Sequence, residues 1–163
     1  MSDFKPGLEG IVAVETEIAE PDRDGGQLRY RGIDIEELVG HYPYERVWGL
    51  LVDNDLDSTM PEPESIEPAA LSGNAPSDLQ AETARLSALW KLGKLNEISD
   101  EQAREDLGRL SSQMMGIVAR SARIADGETD EVPPDVVAHG KTAAEKFLLQ
   151  WRGEADPRAV QAS

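Results

Sequence analysis

Apolar positions along the chain fall into two regimes. The first 53 residues carry short β-branched and aromatic clusters divided by acidic or glycine-rich turns, whereas from residue 77 onward apolar side chains recur at helical spacing. Ile11-Val12-Ala13-Val14, with Thr16 and Ile18, predicts a strand. Pro21-Asp22-Arg23-Asp24-Gly25-Gly26 supplies turn chemistry, and Leu28 to Arg31 predicts the returning strand of an antiparallel hairpin. Gly32 permits a tight exit. Asp34 is placed to cap a short helix that ends near Gly40, with Glu36 and Glu37 favourably set in its first turn. Pro43 suits the first turn of the next helix, where Val47, Leu50 and Leu51 share one face.

Periodicity is lost between Asp53 and Pro76. Asp53, Asp55, Asp57, Glu62, Glu64 and Glu67 occur there with three prolines and no basic residue before Pro68, which predicts a solvated, mobile loop. Ser77-Asp78 opens a helix carrying Leu79, Thr83, Leu86 and Trp90, with Gly93 as its stop. Ser99-Asp100-Glu101-Gln102 is a capping-box pattern. The apolar stripe Ala103, Leu107, Leu110, Met114, Ile117 and Val118 follows it. Gly108 and Gly116 sit inside this stripe, each costing about 1 kcal/mol against alanine, so they mark close helix packing or a break into two helices. Gly127 closes the segment. Pro133-Pro134-Asp135 starts a last full helix with Val137, Ala144, Phe147, Leu148 and Trp151 on one face and Gly153 as stop, and Asp156-Pro157 opens another. The pattern divides the chain into a hairpin and two short helices over 1–53, an acidic proline-rich loop over 54–76, and a helical segment over 77–163. No repeat of solenoid length is visible.

Composition narrows the function classes. A length of 163 residues bounds the chain to one domain, and 39% hydrophobic with 5% aromatic residues is a lean core. Sixteen basic against 32 acidic side chains leave a net charge of −16, which disfavours nucleic acid and anionic membranes as partners. Such an excess fits a salt-adapted source and, more commonly, an ordinary acidic cytosolic protein. Without cysteine, disulfides, thiolate metal sites and cysteine nucleophiles are excluded. Met1 to Pro6 has no apolar signal region and no run approaches membrane-spanning length, so the expected location is cytoplasmic.

One family accounts for several of these pieces together. Gly7-Leu8-Glu9-Gly10, Thr16-Glu17-Ile18, Leu28-Arg29-Tyr30-Arg31-Gly32-Ile33-Asp34-Ile35 and Val47-Trp48-Gly49-Leu50-Leu51 resemble, in order and spacing, the amino-terminal signature of citrate synthases. Ala143-Ala144-Glu145-Lys146-Phe147-Leu148, then Trp151-Arg152-Gly153-Glu154 and Asp156-Pro157, resembles the segment of that family in which a helix leads into a glycine–glutamate turn. The middle third is similar in helix order only. The resemblance, nearest to bacterial, actinobacterial-type members, covers nearly the whole chain but only the first part of a family-length polypeptide. It implies a mainly α fold: a citrate-synthase-like helical large-domain segment with a small N-terminal antiparallel β-hairpin. It also implies an acyltransferase of the tricarboxylic acid cycle, joining acetyl-CoA to oxaloacetate to give citrate and CoA, with acetyl-CoA as substrate and no resident cofactor.

That reaction needs a base for a poorly acidic methyl proton, a donor for the enolate-like intermediate, and a cationic pocket for a dicarboxylate. The family draws these from histidines in glutamate-histidine-glycine, leucine-histidine-glycine and glycine-histidine-arginine contexts, then an aspartate and several arginines. None of those histidine contexts occurs in this chain. The resemblance therefore assigns no catalytic, cofactor-binding or metal residue here and implies a chain inactive alone. Its expected partners are a second copy in a homodimer or the missing C-terminal segment, with oxaloacetate and acetyl-CoA bound only alongside that segment. The alternative is a non-catalytic scaffold or regulatory module derived from citrate synthase. Acyl-chain choice, citrate against methylcitrate, would lie in the absent segments.

The remaining candidates read as structural. His41, between Gly40 and Tyr42, and His139, before Gly140, are expected on the surface and outside any catalytic motif. Glu20, Asp22, Asp24 and Gly25 fit the start of a calcium loop, but its closing position is Arg31 where a bidentate glutamate is required, so a hairpin turn is favoured. The glycines of 7–10 and 25–26 lack the strand-to-helix spacing of a phosphate loop. Arg29 and Arg31, if extended, share a face and could join an anion site, though pairing with nearby acids suits them better. Met114-Met115 belongs to core or interface, and Ser111, Ser112 and Ser121 have no histidine at helical reach.

Overall fold

The computed structural model describes residues 15–21, 27–67 and 70–161. Three short strands, β1 (Ala19–Pro21), β2 (Leu28–Tyr30) and β3 (Ile33–Asp34), form an antiparallel sheet in the order β1-β2-β3. Ala19 lies opposite Tyr30 and Pro21 opposite Leu28. The expected hairpin is thus present, but its first strand begins at Ala19, after Thr16 and Ile18. Ile11 to Val14, the calcium-loop acids Asp22 and Asp24 and most of the turn lie outside the described residues.

The third strand was not expected. Arg31 and Gly32 both adopt positive φ, 50° and 82°, the condition for the tight hairpin turn that matches strand twist. Arginine is an uncommon first residue for such a turn, so the sequence gives little warning of it. The correction extends to the arginine pair. Because Arg31 leaves the strand, it does not share a face with Arg29. Arg31 donates through Nε and Nη2 to the Leu51 carbonyl at 3.3 and 3.0 Å and pairs with Glu17 at 3.7 Å, whereas Arg29 reaches Gln27 at 2.8 Å.

Asp34 caps α1 (Ile35–Leu38) by accepting the Glu36 amide at 3.0 Å, and Gly40 turns the chain at φ 76°. Pro43 caps α2 (Tyr44–Asp53), which ends where Asn54 takes a left-handed conformation. Gly49 lets the following loop lie directly on this helix: a β-carbon there would stand 2.2 Å from the Ser58 carbonyl oxygen.

Residues 54–67 form no helix or strand, and several acids in and beside this stretch are exposed yet paired with bases from the helices. Arg104 grips Asp53 through two bonds of 2.9 and 2.6 Å and stacks over Trp48 at 5.5 Å. Arg109 holds Glu64 at 2.6 and 3.1 Å, Lys146 meets Glu62 at 2.5 Å, and Arg46 donates to the Leu56 carbonyl at 3.1 Å. Met60, between these clamps, is buried. The bases come from distant helices, which is why the segment looked uncompensated in one dimension.

The helical body centres on α4 (Asp100–Ala125), which packs between α3 (Ala75–Leu89) and α6 (Ala143–Arg152). Asn74, rather than Ser77, caps α3, and the helix stops at Leu89 with Lys91 at φ 54°, short of Gly93. Ser99 caps α4 by accepting the Gln102 amide, but the Gln102 side chain turns to Asp106 at 3.0 Å instead of closing the box. The apolar stripe remains one unbroken helix. Its glycines serve close packing: Gly108 faces Pro61 and Trp48, and Gly116 faces the Gln150 side chain.

The expected last helix is divided into α5 (Pro134–Val137) and α6: Thr142 caps a new N-terminus, and the bend between them brings the Lys146 backbone so close to Gly140 that a β-carbon there would not fit. Gly153 ends α6 at φ 78°, and α7 (Pro157–Gln161) follows. Leu86, Leu110 and Ile117 form the core cluster, with Leu79, Trp90, Leu92 and Met114 against it.

Candidate functional site

A cleft of about 920 Å³ lies above α4, walled by residues 59–67, Ala70 and Leu71, by α3, and by the segment from Glu128 to α6. Leu86 and Ile117 supply a buried apolar floor, and Leu71, Val137 and Phe147 continue it along the walls. The default expectation for such a cleft is a ligand site. Its charges argue against an anionic ligand, because eight acidic and five basic side chains line it.

Most of those bases are already engaged. Arg85 makes two bonds, 2.8 and 2.9 Å, to Glu82, a carboxylate only 3% exposed, and this pairing raises the arginine pKa. Arg120 pairs with Glu131 at 3.9 Å. Arg123 pairs with Glu128 at 3.5 Å and donates to the Asp130 and Trp151 carbonyls at 2.7 and 3.1 Å. At the rim, the hydrogen bonds from Arg109 hold the Glu64 carboxyl below its ordinary range, and Arg109 itself stacks over Trp90 at 4.2 Å.

A second carboxylate cluster organises the base of α3. Asp78 accepts from the Ser72 amide and hydroxyl at 2.9 and 2.7 Å, the Gly73 amide at 3.0 Å and the Ser121 hydroxyl at 2.6 Å. Burial pushes its pKa up, but the four donors together outweigh burial and hold it down at about 2. With every acceptor direction filled by protein, this group is a structural anchor and offers nothing to a substrate. Sequence reading took Asp78 only as part of a helix start, and no spacing signal links it to Ser121.

The expected surface histidines are both exposed and neither lines the cleft: His41 follows α1 and His139 follows α5. The three serines are each occupied, Ser111 and Ser112 donating to the Leu107 and Arg109 carbonyls and Ser121 to Asp78. Met114 packs against the core, and with Met115, Trp48 and Phe147 it lines a smaller apolar recess of about 210 Å³. Among the described residues no group of three potential ligands could hold a metal ion, and no helix is long and apolar enough to cross a membrane. The described side chains thus assemble packing surfaces and charge clamps, with no base set beside an oxyanion donor.

Comparison with known proteins gives this scaffold a relation. The family model described as "Citrate synthase, C-terminal domain" matches residues 7–163. A Mycobacterium tuberculosis (strain H37Rv) protein named "Putative citrate synthase 2" is 42% identical over 161 residues, covering 98% of this chain and 43% of the relative. A Haloferax volcanii protein named citrate synthase is 27% identical over 180 residues, covering 98% of this chain and 46% of its own length. The crystal structure of citrate synthase from Thermotoga maritima superposes with a TM-score of 0.59 at 24% identity, over 96% of this chain and 44% of that one, a likeness of fold. The chain spans less than half the length of these relatives.

Proposed function

Since the chain belongs to the citrate synthase family, we propose that it is the scaffold part of an acyltransferase that makes citrate from acetyl-CoA and oxaloacetate in the cytoplasm. The observation that carries this reading is an identity of 42% that runs through 98% of the chain yet reaches only 43% of the relative. On this reading the chain corresponds to the amino-terminal portion of a family-length enzyme. It builds the helical frame, and a complementing segment brings the proton-transfer histidines and the cationic dicarboxylate pocket. The chain alone is inactive, binds no resident cofactor, and assembles as a homodimer. The choice between acetyl and longer acyl groups belongs to the complementing segment.

A thiol-release assay with acetyl-CoA and oxaloacetate tests the proposal. The purified chain is expected to release CoA at background rate. Co-expression with the remaining portion of the Mycobacterium tuberculosis relative is expected to restore turnover. Turnover by the chain alone would overturn the division of labour. Inhibition of an intact family member by added chain, without restored turnover, would favour the regulatory module instead. Light scattering of the chain tests the homodimer.

A further inference from the structure

Resting on the proposed function, we infer that the cleft above α4 is a docking groove for a helix of the complementing segment and not a substrate pocket. Surface area gives the first reason. A compact monomer of 17.8 kDa exposes about 8,000 Å², whereas this chain exposes 11762 Å². An excess of roughly 1,000 Å² persists even if the residues outside the description are given their full extended area. That exceeds the roughly 800 Å² each partner contributes to a standard stable interface.

Shape gives the second. The α4 stripe on the cleft floor runs from Ser112 to Ile124, about 18 Å or three helical turns. A groove of that length takes about three turns of an apposed helix.

Charge gives the third. CoA and oxaloacetate are polyanions, and a lining with a net excess of acids repels them. The same lining suits an apolar helix flanked by lysine or arginine, whose bases would meet the carboxylates that the five resident bases leave over. A complementing segment is favoured over a second copy of this chain, because a copy with net charge −16 brings a predominantly acidic surface to an acidic rim.

The absence of native cysteine allows a clean test. Ile124→Cys places one thiol on the groove, where the native side chain is 39% exposed, and Leu95→Cys places one outside it, at a side chain 68% exposed. Maleimide labelling rates are measured for the full chain alone and for the chain co-expressed with the remaining portion of the Mycobacterium tuberculosis relative. Slowing of at least tenfold at Ile124→Cys in the complex, with Leu95→Cys unchanged, is the expected result. Ala138→Cys, at an exposed position on the opposite wall, gives a second reading should Ile124→Cys fold poorly. A complex that forms and turns over while both groove thiols stay reactive overturns the docking site and leaves the family function standing. Protection that appears in the chain alone and rises with its concentration overturns the choice of occupant in favour of a second copy. Failure to form any complex overturns the docking inference, and failure to restore turnover as well counts against the proposed function.

Discussion

Asp78→Asn should destabilise the chain by about 2 kcal/mol at neutral pH, and the penalty should shrink in acid. Four donors converge on the carboxylate, and two of them are backbone amides that cannot reverse their direction. An asparagine retains one acceptor oxygen. If it serves Ser72, the new NH₂ faces the Gly73 amide, and a buried donor left without a partner costs about 1–3 kcal/mol. The Ser121 hydroxyl can rotate to accept and offsets part of this. Linkage gives a separate figure. The folded pKa of about 2 lies below the ordinary 3.8, and that depression corresponds to roughly 2 kcal/mol favouring the folded state. Because the folded pKa is depressed, this stability is fully present above the unfolded value and is lost as pH falls from about 4 through 2. Asp53, also held at about 2 by its Arg104 hydrogen bonds, titrates in the same window. The informative quantity is therefore the difference between wild type and Asp78→Asn in urea-unfolding free energy at several pH values. It should be about 2 kcal/mol at pH 6–7, fall to roughly half by pH 3 and close most of the way by about pH 2. A difference independent of pH, or a variant as stable as wild type, would refute the anchor.

Gly49→Ala should destabilise by about 1–3 kcal/mol, although alanine gains about 1 kcal/mol in helix propensity, because the new methyl meets the Ser58 carbonyl and must displace the loop; a raised urea midpoint would contradict this. Arg104→Ala removes both the Asp53 fork and the Trp48 stack at a partly exposed site, for a loss of about 1 kcal/mol, and limited proteolysis should then cut faster within 54–67; an unchanged cleavage rate would separate the clamp from loop order. His41→Ala and His139→Ala should each shift stability by no more than about 0.5 kcal/mol and leave CoA release by the reconstituted enzyme unchanged, whereas a tenfold fall in kcat at either would restore that histidine to the chemistry.

Local signals carried the caps and stops well. Asp34, Ser99 and Gly153 act within a few residues of themselves, and each performs the expected task. What the sequence did not disclose depends on contacts across long separations. The acids Asp53, Glu62 and Glu64 looked unpaired because their partners Arg104, Arg109 and Lys146 lie 45 to 84 residues away. Gly140 looked compatible with one helix from Pro133 because the close approach of Lys146, which leaves no room for a β-carbon, arises only after the chain has bent back. Gly108 and Gly116 were legible as packing or break, and only the neighbours Trp48 and Gln150 decide between them. The two-residue turn at Arg31-Gly32 was hidden for another reason, since arginine is a weak marker of left-handed backbone.

Charge supports the division of labour independently of the histidine motifs. A dicarboxylate substrate requires convergent cationic forks, and the chain does contain arginines on the cleft. For Arg85 to turn toward such a substrate it would have to release Glu82, which is 3% exposed and would remain as an uncompensated buried carboxylate beside a second anion. Arg104 faces the same obstacle at Asp53, and Arg123 would abandon two carbonyls and Glu128 together. Arg104 and Arg123 tie separate segments of the scaffold together and Arg85 neutralises a buried carboxylate of its own helix, so recruiting any of them would weaken the scaffold. On the proposed function, a dicarboxylate pocket would therefore draw its arginines from another segment, and the inferred docking groove above α4 would offer that segment an apolar seat with an acidic rim.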